Sequence, residues 1–237
     1  MDKADLRERV WDRLEDEGLA RFPFPPHGRI PNFAGAEDAA DRLAETDAWN
    51  AADAVKANPD APQLPVRRRA IREGKTVYMA VPRLRDEEPF YELDPEEIPP
   101  EEYDRAPTVS HVESYARQVG PEEVPAVDLV VSGSVAVTES GARVGKGEGY
   151  SDLEYAVLRE LALVGDETTV ATTVHDVQVA AEDIVVEAHD VPMDLVATPT
   201  RTIRTETEYE RPEGVDWEAL SEERIDEMPV LQNKRLD

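Results

Sequence analysis

The sequence predicts an α/β protein whose mainly parallel sheet is covered by helices on both faces. Two observations carry that expectation. Apolar runs such as Leu129-Val-Val131 show no polar alternation, so they read as strands buried on both sides. Between them lie stretches with apolar residues at helical spacing, and strands alternating with helices build parallel sheets. In such sheets ligands bind where strands end and helices begin.

Residues 3–18 place Leu6, Val10, Trp11 and Leu14 on one helical face, with Gly18 as the stop. Residues 21–32 contain four prolines, which exclude helix interior and central strand, so they read as an ordered loop anchored by aromatics. Residues 36–43 and 64–73 are helical, the second ended by Gly74, and residues 54–56 form a short strand before Asn58-Pro-Asp60. Residues 75–81 are the first long strand. Residues 86–118, rich in Pro and Glu, read as loops with short local pieces. Strands follow at 127–132, 168–174 and 195–198, with a helix at 153–161. The run Ile184-Val-Val186 is apolar enough to enter a core, and residues 216–228 carry Trp217, Leu220, Ile225 and Met228 as a final surface helix.

Acidic residues outnumber basic ones by 53 to 26, giving a formal charge of −27. A chain so acidic has no general attraction to nucleic acid or anionic membrane, and no RNA-recognition signature is present. Only five cations are Lys, and acids are spread along the whole chain, a pattern suited to a salt-rich cytoplasm such as that of a halophilic archaeon. Without cysteine there is no disulfide, thiolate metal site or cysteine nucleophile. His27, His111, His175 and His189 lack metal-motif spacing and read as structural. The polar start, Met1-Asp-Lys-Ala-Asp5, lacks a signal h-region, and no apolar run approaches membrane-spanning length, so the expected location is cytoplasmic.

The chemistry-bearing stretch is Gly141-Ala-Arg-Val-Gly-Lys-Gly-Glu-Gly-Tyr-Ser-Asp152, which runs into a helix. Gly145, Gly147 and Gly149 let backbone N–H groups converge, the helix start near Tyr150 favours an anion, and Arg143 and Lys146 add charge. The order fits neither the P-loop nor the full dinucleotide fingerprint. Taken alone, the loop fits a plain strand-to-helix turn as well as a phosphate cradle.

Three stretches in order, 128–137, 141–152 and 189–199, resemble motifs of the 5-formyltetrahydrofolate cyclo-ligase family. Arg29-Ile-Pro-Asn-Phe33, Val81-Pro-Arg-Leu-Arg85 and Asp152-Leu-Glu-Tyr-Ala156 are similar to its branch of animal methenyltetrahydrofolate synthetase domain-containing proteins. The resemblance covers about residues 3–203, so residues 1–205 are expected to form the cyclo-ligase-like domain and 206–237 a C-terminal extension packed on it or trailing. It implies a three-layer fold of the NagB/RpiA/CoA-transferase type and ATP-dependent, Mg²⁺-dependent conversion of 5-formyltetrahydrofolate to 5,10-methenyltetrahydrofolate. It also implies that Lys3, Arg7, Arg143, Lys146 and the glycine backbone meet the ATP phosphates, that Tyr150 lines the site and that Asp152 holds Mg²⁺. Folate brings a flat pterin and an acidic tail, for which Phe22, Phe24 and Phe33 are candidate stacking groups and Arg29 a candidate partner. Two positions depart from the family pattern, Glu148 and Ser151. Glu148 lies four residues before Asp152, a spacing that lets the two share Mg²⁺. The same departures favour a second reading, a non-catalytic nucleotide- or folate-binding regulator, whereas the cations retained at each phosphate position favour the enzyme.

Overall fold

The structure is a computed structural model that describes residues 2–236. Its main sheet has eight strands, in the order Thr202–Arg204, Leu195–Ala197, Thr169–Thr173, Leu129–Val131, Ala54–Ala57, Thr76–Ala80, Phe90–Leu93, Arg117–Val119. The five from Leu195–Ala197 to Thr76–Ala80 run parallel. The outer strands on both sides are antiparallel.

Strand periodicity sorts the side chains into two cores. Val55, Ala57, Leu129 and Val131 point to one face, where they pack with Leu43 and Ala44 of the helix Ala36–Ala44 and Val66, Ala70 and Ile71 of Leu64–Arg72. Ala54, Val130, Val170 and Val196 point to the other, against Tyr155 to Leu158 of the helix Tyr150–Glu160. Helices on both faces make the expected three layers. A third core joins Leu6, Val10, Trp11 and Leu14 of the helix Lys3–Asp16 to Val135, Ala136 and Val144 beside a small sheet of Val179–Ala180, Ala136–Thr138 and Arg143–Val144. No helix among the described residues is long and apolar enough to cross a membrane.

Several local expectations are revised. Residues 86–118 contain two antiparallel strands, Phe90–Leu93 and the first residues of Arg117–Val119, which extend the sheet beyond Thr76–Ala80. Ile184 is buried, but Val185 is 71% exposed and the run forms no strand. The predicted surface helix at 216–228 is replaced by Glu222–Asp226 and then Pro229–Leu236. Ile225, Met228, Val230 and Leu231 belong to the same core as Tyr155 to Leu158 of the Tyr150–Glu160 helix, together with Val215.

Candidate functional site

The parallel strands deliver their carboxyl ends to one rim of the sheet, where Asn58-Pro59-Asp60, Val81 to Leu84 and Gly133 meet the loop before Tyr150–Glu160. Between them lies a cavity of about 340 Å³. The glycine loop shapes one wall. Gly147 (φ +105°) and Gly149 (φ +69°) adopt backbone conformations that L side chains rarely accept. Gly149 is the N-cap and offers no side-chain acceptor, so the first-turn N–H groups of an eleven-residue helix lack a side-chain cap. Tyr150, Ser151 and Asp152 of that turn line the cavity.

Arginines fix the loop. Arg7 donates Nε to the Gly145 carbonyl at 2.7 Å, and a Cβ at Gly147 would lie 3.4 Å from its guanidinium carbon. Arg143, buried, donates to the Gly133 carbonyl at 2.7 Å and to Asp152 Oδ1 at 2.7 Å. Asp152 Oδ1 also accepts the Val191 N–H at 3.1 Å. Lys146 pairs with Glu148 at 2.7 Å on the half-exposed tip. Lys3 stands further out, bound to Asp190 at 2.5 Å and Glu187 at 3.2 Å.

The opposite wall is held by Arg67, buried, whose guanidinium donates to the carbonyls of Asn58, Pro59, Asp60 and Pro107. Burial pushes Arg67 down to about 9, which still leaves it a cation at neutral pH. Burial likewise raises the Asp60 carboxyl above its ordinary range, against the opposing pull of Lys146 and Arg67. Below them Lys56 pairs with Glu154 at 2.6 Å and Asn58 donates to Ser151 Oγ at 3.0 Å. Arg83 (φ +61°) and Arg224 set their guanidinium carbons 5.7 and 4.8 Å from the Tyr150 ring centre. Arg224 also donates to the Glu148 carbonyl at 3.0 Å, and Met228 lines the cavity, so the C-terminal segment reaches the loop.

The structure therefore brings together Arg143, Gly145, Lys146, Glu148, Gly149, Tyr150 and Asp152 around one cavity, with Gly147 in the same loop and Arg7 directly behind it. It does not bring Lys3, Arg29 or Phe33 there. Phe33 is 2% exposed among Leu6, Ile30 and Ala36, so its ring has no free face for a pterin. The Arg29 Nε is buried without a partner, and its carbonyl accepts the Trp11 indole N–H. Phe22 and Phe24 project into solvent rather than anchoring their loop. One group of three metal-capable side chains gathers among the described residues, Glu187, His189 and Asp190, and the Lys3 ammonium binds two of them. Sequence reasoning missed Lys56, Asn58, Asp60, Arg67, Arg83, Glu154 and Arg224. A lysine amid the apolar run Ala54-Val-Lys-Ala57 was the one visible signal, since a charge inside a buried strand requires a partner.

Comparison with known proteins agrees with this arrangement. A family model described as the 5-formyltetrahydrofolate cyclo-ligase family matches residues 2–199. The methenyltetrahydrofolate synthase domain-containing protein of Bos taurus is 41% identical over 238 residues, covering 98% of this chain and 62% of its own length. That of Homo sapiens is 39% identical over 238 residues, covering 98% of this chain and 61% of its own. The chain thus spans about three-fifths of the length of these curated relatives. The solution structure of Aquifex aeolicus 5,10-methenyltetrahydrofolate synthetase shares the fold, with a TM-score of 0.53 at 18% identity over 89% of this chain and 96% of that one. With motifs, fold and family model in agreement over most of its length, the chain belongs to the 5-formyltetrahydrofolate cyclo-ligase family.

Proposed function

We propose that this chain converts 5-formyltetrahydrofolate and ATP to 5,10-methenyltetrahydrofolate, ADP and phosphate in the cytoplasm. The observation that carries the reading is the cationic glycine loop at the start of Tyr150–Glu160, which opens on a cavity at the carboxyl ends of the parallel strands. Family membership supports it. A formyl group on N5 is an amide, so its oxygen must be activated before N10 can close the ring. The formyl oxygen attacks the γ-phosphorus, the bond to ADP breaks, and N10 adds to the iminium carbon. Phosphate then leaves with the former formyl oxygen, and N10 gives up its proton.

The chain's part is positioning and charge neutralisation. Gly145, Gly147 and Gly149 supply backbone N–H groups, Lys146 meets the γ-phosphoryl, and Arg143 stabilises the charge that develops there. Arg7 holds the loop through the Gly145 carbonyl. Lys3 fixes Asp190, next to the Val191 N–H that orients Asp152. Hard carboxylate oxygens suit Mg²⁺, and the donor set fits: Asp152 spends only Oδ1 on Arg143 and Val191, which leaves Oδ2 to hold the ion together with Glu148. Mg²⁺ bound there supplies further neutralisation of the phosphates.

One contact favours the second reading, a non-catalytic nucleotide- or folate-binding regulator. Glu148 already neutralises Lys146. Near-ultraviolet absorbance of methenyltetrahydrofolate, followed in molar KCl with ATP and Mg²⁺, separates the two. Product that depends on ATP and falls roughly 100-fold in Lys146→Ala is expected. Absence of product while calorimetry still registers ATP binding overturns the enzyme reading in favour of the regulator.

A further inference from the structure

Behind the glycine loop lies a buried polar layer for which the cyclisation chemistry gives no role. Lys56 is 2% exposed, and its Nζ donates to Glu154 Oε2 at 2.6 Å and to Asn58 Oδ1 at 2.7 Å. Asn58 in turn donates to Ser151 Oγ at 3.0 Å. Glu154 is 8% exposed and lines the cavity, yet its second oxygen, Oε1, is buried without a hydrogen-bond partner. Fold stability does not call for this arrangement. A buried ion pair is often no better than two apolar residues of the same volume, and an orphaned acceptor adds the cost of its lost hydration.

The chemistry of the layer narrows what the orphan awaits. A phosphate is excluded by the carboxylate, and a divalent cation is opposed by the Lys56 ammonium 2.6 Å from the other oxygen. Glu154 also belongs to no group of three metal-capable side chains among the described residues. A neutral N–H donor meets neither objection. We infer that Glu154 reads the heterocycle of the substrate, its Oε1 accepting an N–H from an aminopyrimidinone edge such as that of a pterin, while Lys56 and Asn58 hold the carboxylate and Ser151 in place. The inference rests on the folate reading of the cavity. Oε1 is covered, so the carboxylate pivots on the Oε2 held by Lys56 to present Oε1 as the ring enters. Glu154 is thus a specificity residue, one helical turn along from Tyr150 on the same face of the helix, and both line the cavity.

The test is equilibrium binding of 5-formyltetrahydrofolate, its 2-desamino analogue and MgATP to the wild-type chain, to Glu154→Gln and to the double variant Lys56→Met/Glu154→Leu. The wild type is expected to prefer the amino compound by roughly tenfold or more. The double variant should bind both pterins equally and keep its affinity for MgATP, which also shows that it is folded. Glu154→Gln, which keeps the shape and loses the charge, should narrow the preference while binding MgATP normally. A preference undiminished in both variants overturns the inference and leaves the folate reading standing. A wild-type chain that binds MgATP but neither pterin overturns the folate reading, and this inference with it.

Discussion

Asp60 shows how a single residue is tuned by its place in the cavity. Burial is the largest influence on its carboxyl and raises its pKa, Lys146, Arg67 and Lys56 pull it down, and Glu154 adds to the rise. A carboxyl whose folded pKa is raised contributes stability that is fully present below its unfolded pKa, near 4, and is lost as pH rises through the folded value. Asp60→Asn should therefore raise the thermal midpoint at pH 7 and give no gain below about pH 4. An equal gain at both pH values would contradict this account. A carboxyl whose ionisation is opposed by burial, set on the wall of a cavity, is a candidate ligand-facing group. The two departures from the family pattern find partners here as well: Ser151 accepts from Asn58, and Glu148 pairs with Lys146.

At the scale of elements, the C-terminal segment buttresses the site that the glycine loop builds. We propose that the described part of the C-terminal extension, residues 206–236, folds as one unit with the preceding domain. Met228 reaches the cavity, Arg224 the loop, and Leu231 is 1% exposed in the core over Tyr150–Glu160. Leu231→Ala should cost about 2–5 kcal/mol in a single urea transition, whereas a separate early transition would contradict the proposal. The sequence made some elements plain and hid others for physical reasons. The five parallel strands were legible because strands buried on both faces are rich in apolar and β-branched residues, as in Leu129–Val131 and Thr169–Thr173. The strands Phe90–Leu93 and Arg117–Val119 were not, because short strands interrupted by charged residues and flanked by Pro and Glu carry no such run. The loop 141–149 was legible from its glycines and cations. Arg67 and Glu154 were hidden, since burial of a charged residue depends on partners far away in sequence: Arg67 reaches Pro107, and Glu154 reaches Lys56. Phe33 misled for the opposite reason, as an aromatic beside a proline-rich loop looks the same whether it meets a ligand or a core.

The whole molecule carries −27 and holds its acids in many exposed pairs with arginine, such as Arg9 with Glu182 and Arg201 with Glu139. Such pairs contribute little singly, so net self-repulsion remains the dominant electrostatic cost. We propose adaptation to a salt-rich cytoplasm. The thermal midpoint should climb as KCl rises from about 0.1 M to about 2 M, where the screening length shrinks toward about 3 Å. A flat or falling midpoint would contradict that. The central claim, that this cavity brings the formyl oxygen of a folate to the γ-phosphoryl of ATP, has a more direct test. 5-Formyltetrahydrofolate labelled with ¹⁸O in the formyl group is incubated with the chain and MgATP, and the phosphate released is weighed by mass spectrometry. The account predicts one ¹⁸O in each phosphate formed alongside methenyltetrahydrofolate. Unlabelled phosphate, or none at all, would contradict it.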